Sequence, residues 1–215
     1  MTTVQRYTEH TKFYDKKTGE PLDAKRLLKA KYDNPNQYVF EPLYDAYGAD
    51  SAYLVREATL LERETGFISD TDTTRRPKIG QPLPPFVMQG VDGRTYRSAD
   101  LKGNIVVLTF WIMVRSAAHN AALMQGYDKA LRPFASRADL VALGVVNLDS
   151  AAVRTYLDAH PTALTLVPSA FSFSRKYQII QYPSCLVIDK AGNVAAYLTG
   201  DVGPQLTATL KRLLP

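Results

Sequence analysis

Residues 92–111, DGRTYRSADLKGNIVVLTFW, decide how the rest of the chain is read. Asp92-Gly93 is a turn pair suited to the tip of a tight hairpin, and the stretch FVMQGVDGRTYRSADL (86–101) around it reads as a short hairpin. Ser98 is placed to cap a brief turn. The apolar run that follows, IVVLTFWIMV (105–114), is rich in β-branched residues and fits a strand covered on both faces.

Outward from this block, turn signals and apolar runs alternate as they do in α/β proteins. PKIGQPLPPF (77–86) is an extended, proline-punctuated lead-in. SAAHNAALMQGYDKALRPFA (116–135) has helical spacing, with Ala118, Ala122, Met124 and Leu131 on the inner face and Gly126 weakening it. LVALGVVNLD (140–149) is a second buried strand, and SAAVRTYLDAHP (150–161) a helix capped by Ser150 and stopped near Pro161. LTLVPSAFSFSRKYQI (164–179) is a short strand followed by a turn or helix. YPSCLVIDKAGNVAAYLTG (182–200) supplies two strands around a turn at Ala191-Gly192-Asn193, and GPQLTATLKRLL (203–214) closes as a helix with Pro204 in its first turn.

The first 76 residues differ in character. They are rich in aromatic residues (Tyr14, Tyr32, Tyr38, Phe40, Tyr44, Tyr47, Tyr53). FYDKKTGEPLDAKRLLKAKY (13–32) predicts a turn at Thr18-Gly19 and a short helix from Asp23; YVFEPLYDAYGADSAYLVREATLLE (38–62) predicts two strands around a turn centred on Gly48. The polar stretch DTDTTRRP (70–77) is the expected connector. The expected division is thus 1–76, an α+β extension, and 77–215, an α/β domain with a central mixed β-sheet flanked by helices.

Composition narrows the function. In 215 residues, 46% hydrophobic and 22% charged, there is enough apolar material for one sizeable core, or a core plus a small appendage. The net charge of +5 comes from 26 basic residues scattered among 21 acidic ones, a solvated surface with no nucleic-acid footprint. The single cysteine, Cys185, excludes an internal disulfide and a thiolate metal cluster. His10, His119 and His160 fall in different elements, so no metal site is expected, and no cofactor motif (GxGxxG, phosphate loop) or hydrolase motif (GxSxG, HExxH) appears. The opening MTTVQRYTEHTKF has no apolar leader core, and no window approaches the ~18 apolar residues of a membrane span, so a soluble chain is expected.

The element order, with IGQPLPPF (79–86), DGRTYRSADLKGNIVVLTFW (92–111) and YQIIQYPSCLVIDKAGNV (177–194) in register, resembles the redoxin and TlpA-type (AhpC/TSA-like) members of the thioredoxin-like superfamily. The resemblance covers residues 77–215 and implies a thioredoxin-like fold, thiol-disulfide oxidoreduction or peroxidase-linked antioxidant chemistry, and a bacterial, extracytoplasmic setting. It also resembles loosely the secreted TlpA-type proteins that carry N-terminal extensions. In that pattern a Cys-x-x-Cys pair follows Phe110-Trp111 at the start of a helix, where free backbone N–H groups lower the first thiol's pKa. Counted along it, the cysteine positions fall on Arg115 and Ala118, with Ser116 and Ala117 between and His119 next.

Without an attacking and a resolving thiol, mixed-disulfide exchange has no route. Three readings follow. The leading one is a redox-inactive protein that binds an extended peptide or partner protein in a groove lined by Trp111, Met113, Arg115, Ser116, His119, Tyr182 and Pro183; the resemblance implies a cis Pro183. Arg115 and Ser116 at the helix end could hold a carboxylate or phosphate, or Arg115 could be a plain surface arginine. The second reading is residual oxidoreductase activity through Cys185, which requires that thiol to be exposed; strand alternation puts it with Pro183 and Val187, and if that face is core it is a small buried hydrophobe. The third is a scaffold or dimer built on the tyrosine-rich N-terminal segment.

Overall fold

The structure, a computed structural model, describes residues 7–66, 72–113, 117–200 and 202–214; Thr73, residues 117–120 and Leu123 are described by backbone alone. The chain divides into two compact units, Met1–Asp45 with Ala49–Asp70, and Ala46–Gly48 with Thr71–Pro215.

The first unit contains β1 (Phe13–Asp15), β2 (Pro21–Leu22), α1 (Ala24–Asp33), β3 (Tyr38–Tyr44), β4 (Asp50–Glu57) and α2 (Leu60–Thr65). Its sheet runs β2-β1-β4-β3, with β1 parallel to β4 and the other pairs antiparallel. The alternating residues of Tyr38–Tyr44 and Asp50–Glu57 put Tyr38, Phe40, Tyr53 and Val55 on the core face, while Val39, paired with Arg56, is buried on the other. Phe13, Leu27, Tyr53 and Val55 form the core, against which Tyr7 and Phe40 stack edge to face with centroids 5.1 Å apart. Tyr38, Phe40 and Tyr53 thus serve the interior of this segment, whereas Tyr32 and Tyr47 are exposed. Asp23 caps α1 by accepting a hydrogen bond from the Arg26 N–H.

A charge relay crosses this sheet. The Glu41 carboxylate accepts from Lys16 (2.7 Å) and Arg56 (2.8 Å), and Arg56 reaches on to Glu62 (2.6 Å), which also closes the capping box of α2 with Thr59. The Arg56 guanidinium, followed by the Thr59 N–H, lowers the Glu62 pKa from the ordinary 4.5 to about 2. A depressed carboxylate stabilises the fold above its unfolded pKa and loses that contribution as pH falls through the folded one. The Glu62 carboxyl is thus expected to titrate near pH 2 by carboxyl-carbon NMR, and Glu62→Gln to flatten the decline in urea stability between about pH 5 and 2; an ordinary titration would contradict the relay.

The second unit contains β5 (Val87–Gln89), β6 (Thr95–Arg97), β7 (Ile105–Phe110), α3 (Ala117–Leu131), β8 (Leu140–Val145), α4 (Ser150–Ala159), β9 (Thr165–Val167), α5 (Phe171–Lys176), β10 (Ser184–Ile188), β11 (Val194–Thr199) and α6 (Val202–Leu213). The five-stranded sheet runs β11-β10-β7-β8-β9; β7, β8 and β9 are parallel, and β10 is antiparallel to both β7 and β11. This is the mixed sheet of a thioredoxin-like fold. β5 and β6 form the separate hairpin around Asp92-Gly93.

Both faces of β7 are covered, which is why its sequence is uniformly apolar. On one side Ile105, Val107, Cys185 and Val187 meet Met124, Tyr127 and Leu131 of α3, Val153 of α4 and Leu206 and Leu210 of α6. On the other, Val106, Leu108, Phe110 and Leu186 meet Phe86 and Met88 before and in the hairpin and Phe173 and Tyr177 at α5. Gly203 lets α6 approach α3 closely: a Cβ added there would stand 3.2 Å from the Gly126 carbonyl oxygen.

Four local expectations are corrected. β7 ends at Phe110 instead of running to residue 114, because the Met113 N–H is taken by a side chain. Ser98 does not cap a turn; its hydroxyl accepts from the Phe86 N–H across the hairpin, 3.1 Å. α4 is capped by Asp149, which accepts from the Ala152 N–H at 2.8 Å, and Ser150 is its first helical residue. Ala122 is exposed; Met124, Tyr127, Ala130 and Leu131 make the inner face of α3.

Candidate functional site

The site suggested by the sequence lies where β7 ends. Phe110 is paired with Val145 on β8 and with Ser184 on β10, so residues 111–113 leave the sheet beside residues 181–183. This is the carboxyl end of the central parallel strand, where ligands of open α/β sheets bind. The Tyr182–Pro183 peptide bond is cis.

The turn out of β7 is fixed by a set of polar contacts. The Trp111 N–H donates to the Val145 carbonyl (3.0 Å), and its indole Nε1–H donates to the Thr109 hydroxyl (2.6 Å). Thr109 in turn lies 3.3 Å from the Leu143 carbonyl. The side chain of Asn147 then clamps Met113, accepting from its N–H at 2.8 Å and donating to its carbonyl at 3.5 Å. Trp111 and Met113 both point into the core on the α3 side, with the Trp111 ring edge-on to Tyr127 at 4.7 Å. They keep the strand's alternation, so they are walls of the core and not the lining of a groove. Ile112, of opposite parity, is 44% exposed.

Facing this turn, Tyr182 is half-buried, stacked on Phe171 at 6.2 Å, and donates its hydroxyl to the Ile179 carbonyl at 3.1 Å. Burial raises its pKa. Ile180 on the same loop is 50% exposed, and Arg175 lies over the Phe171 ring. The loop is anchored by Gln178, a buried residue at φ +54, whose side chain accepts from the Asp72 N–H (2.7 Å) and donates to the Arg175 carbonyl (2.9 Å). A non-glycine residue in the left-handed region is retained only when its surroundings over-determine it, as these bonds do.

Cys185 sits one strand in from the turn, between Thr109 and Leu198. It is 0% exposed and part of the core formed with α3, α4 and α6. Burial pushes its thiol above the ordinary range, so the thiolate needed for exchange is disfavoured as well as inaccessible. Arg115 and Ser116 lie outside the described residues, and Ala117, Ala118 and His119 are placed by backbone only, in the first turn of α3. His160 ends α4, its ring tilted against Tyr156 with centroids 5.1 Å apart.

The sequence reading missed Asn147 and Gln178. Asn147 carried a usable signal, a polar residue just past an apolar strand on the sheet edge that holds the site. Gln178 carried none, because its partner Asp72 is 106 residues away. Among the described residues no helix is long and apolar enough to cross a membrane.

Comparison with known proteins agrees with this geometry. A thiol:disulfide interchange protein of the thioredoxin family from Chlorobium tepidum TLS superposes with a TM-score of 0.51 at 22% identity, covering 65% of this chain and 98% of that one. The thioredoxin domain of a thiol-disulfide oxidoreductase from Bacteroides vulgatus gives 0.50 at 18% identity, covering 64% and 99%. At these identities the likeness is one of fold. No curated protein matches the sequence. The model of the AhpC/TSA family matches residues 79–197, more than half of the chain and all three sequence blocks up to their last residues. The chain therefore belongs to the AhpC/TSA family, with a thioredoxin-like fold.

Proposed function

We propose that this protein uses the thioredoxin-like fold for binding, without thiol redox chemistry, and that its ligand is an extended peptide or partner segment laid beside Tyr182–Pro183. The observation that carries this reading is the position of the single cysteine: Cys185 is fully buried, with its thiol raised by burial and no second thiol in the chain to resolve a mixed disulfide. Burial also opposes residual oxidoreductase activity through Cys185, which would need an accessible, acidified thiol.

The surface for binding is supported by the exposed Ile112 and Ile180, which flank the paired exits of β7 and the Pro183 loop, and by the Phe171–Tyr182 stack beside them. Exposed apolar side chains next to the end of a strand suit an extended peptide, whose alternate side chains enter pockets. Arg115, Ser116 and His119 belong to the same proposal as a rim that could meet a carboxylate. Placement outside the cytoplasm also belongs to it, from the family resemblance, and is checked by fractionating native cells.

Fluorescence anisotropy with a labelled pool of extended decapeptides tests the surface. Saturable binding is expected, weakened about tenfold or more by Ile180→Glu or Ile112→Glu. Absence of saturable binding, or binding indifferent to both substitutions, would remove this reading. One observation favours a scaffold instead: α2 buries none of its residues, and Leu60 and Leu61 are 75% and 68% exposed. Sedimentation showing a dimer abolished by Leu61→Asp would support that alternative.

A further inference from the structure

A second site lies in the same unit, at the carboxyl ends of β8 and β9. There the hairpin residues Gln89 and Gly90, the first two turns of α4 and the segment from β9 into α5 enclose a pocket of about 440 Å³. Its floor is apolar, with Met88 and Val167, both nearly fully buried. Its walls carry one guanidinium, Arg154, the serine hydroxyls of Ser150, Ser169 and Ser172, and the phenol of Tyr47. Among the described residues no carboxylate lines it.

The Arg154 guanidinium has no ion pair or hydrogen bond within the described residues, in contrast to those of Arg56, Arg63, Arg94, Arg97 and Arg137, which each find an acid. Two acids beside the pocket's lining residues are already engaged, Asp149 accepting from the Ala152 N–H and Asp92 from the Arg94 N–H and the Tyr96 hydroxyl, and Asp158, one turn along α4, is not among the residues that line it. Ser169 is held at φ +53, in the left-handed region, by the bond from its N–H to the Leu148 carbonyl (2.7 Å) and by that from Ala170 to Val146 (3.0 Å). Strained non-glycine residues collect at ligand sites, where the surrounding structure sustains them. An apolar floor with a few convergent donors, in a hollow of this size at the ends of parallel strands, has the form of a small-molecule site.

We propose that this pocket binds the oxyanion of a small molecule, a carboxylate or a phosphate, with Arg154 as its counter-charge and the serine hydroxyls as donors. Arginine's planar fork matches either group, and hydroxyls complete the remaining lone pairs. The site is distinct from the Pro183 surface and stands whether or not that surface binds peptides.

The test is an amide-shift titration of the full chain by NMR, with sodium phosphate in one arm and sodium benzoate in the other, at constant ionic strength. Saturable millimolar shifts confined to residues 150–154 and 169–172 are expected in at least one arm. Phosphate alone would assign the phosphate class; benzoate alone would assign a carboxylate with an apolar body on the floor. Arg154→Gln should weaken binding about tenfold or more, and Arg154→Lys less, while Ser169→Ala gives an independent loss. Shifts linear in concentration in both arms, or unchanged affinity in Arg154→Gln, would overturn the proposal.

Discussion

Cys185 in the folded protein is expected to react with N-ethylmaleimide at least about 10³-fold more slowly than in guanidinium chloride, because labelling must wait for opening of the core. Two effects combine. The thiol is 0% exposed between Thr109 and Leu198, and burial among Val107, Tyr127 and Val187 raises its pKa, so the nucleophilic thiolate is scarce even when the probe approaches. The measurement is a time course of alkylation by mass spectrometry at several denaturant concentrations. The rate should track the unfolded population. A native rate within about tenfold of the unfolded one would place the thiol at the surface and reopen redox chemistry through it.

The second large effect concerns the opposite face of the sheet. Tyr177→Ala is expected to destabilise the protein by about 3–5 kcal/mol, a large part of the total stability of an ordinary domain. Tyr177 is fully buried, packed against Phe110 and Phe173 with centroids 6.1 and 6.3 Å away, and its hydroxyl donates to the Pro84 carbonyl at 3.0 Å. The ring therefore ties the proline-rich lead-in to β7 and to the loop that carries Pro183. Tyr177→Phe keeps the ring and orphans one carbonyl, so about 1 kcal/mol is expected for it. Urea unfolding of both variants separates the terms; equal losses would mean that the hydroxyl, and not the packing, holds the lead-in.

The order of elements in residues 77–215 was legible because each signal was local. Asp92-Gly93 marked a hairpin, continuous β-branched runs marked strands buried on both faces, and Ala191-Gly192-Asn193 marked the β10–β11 turn, where the Asp189 carboxylate accepts from the Ala191 and Asn193 N–H groups. Errors arose where neighbouring residues competed for one role. Asp149 and Ser150 are both capping residues, and only the bond to Ala152 distinguishes them. For Trp111 and Met113 the alternation of Ile105, Val107 and Thr109 continues past the end of β7; that parity, available in the sequence, places both inside. The clamps by Asn147 and Gln178 depend on partners 34 and 106 residues away, and such pairings leave no periodic trace.

The most direct test of the central claim, a thioredoxin-like protein of the AhpC/TSA family that runs no thiol exchange, is insulin-disulfide reduction by dithiothreitol, followed as turbidity. Wild type and Cys185→Ala are expected to match the dithiothreitol background while a dithiol thioredoxin accelerates the reaction. An acceleration by wild type that Cys185→Ala abolishes would contradict the account.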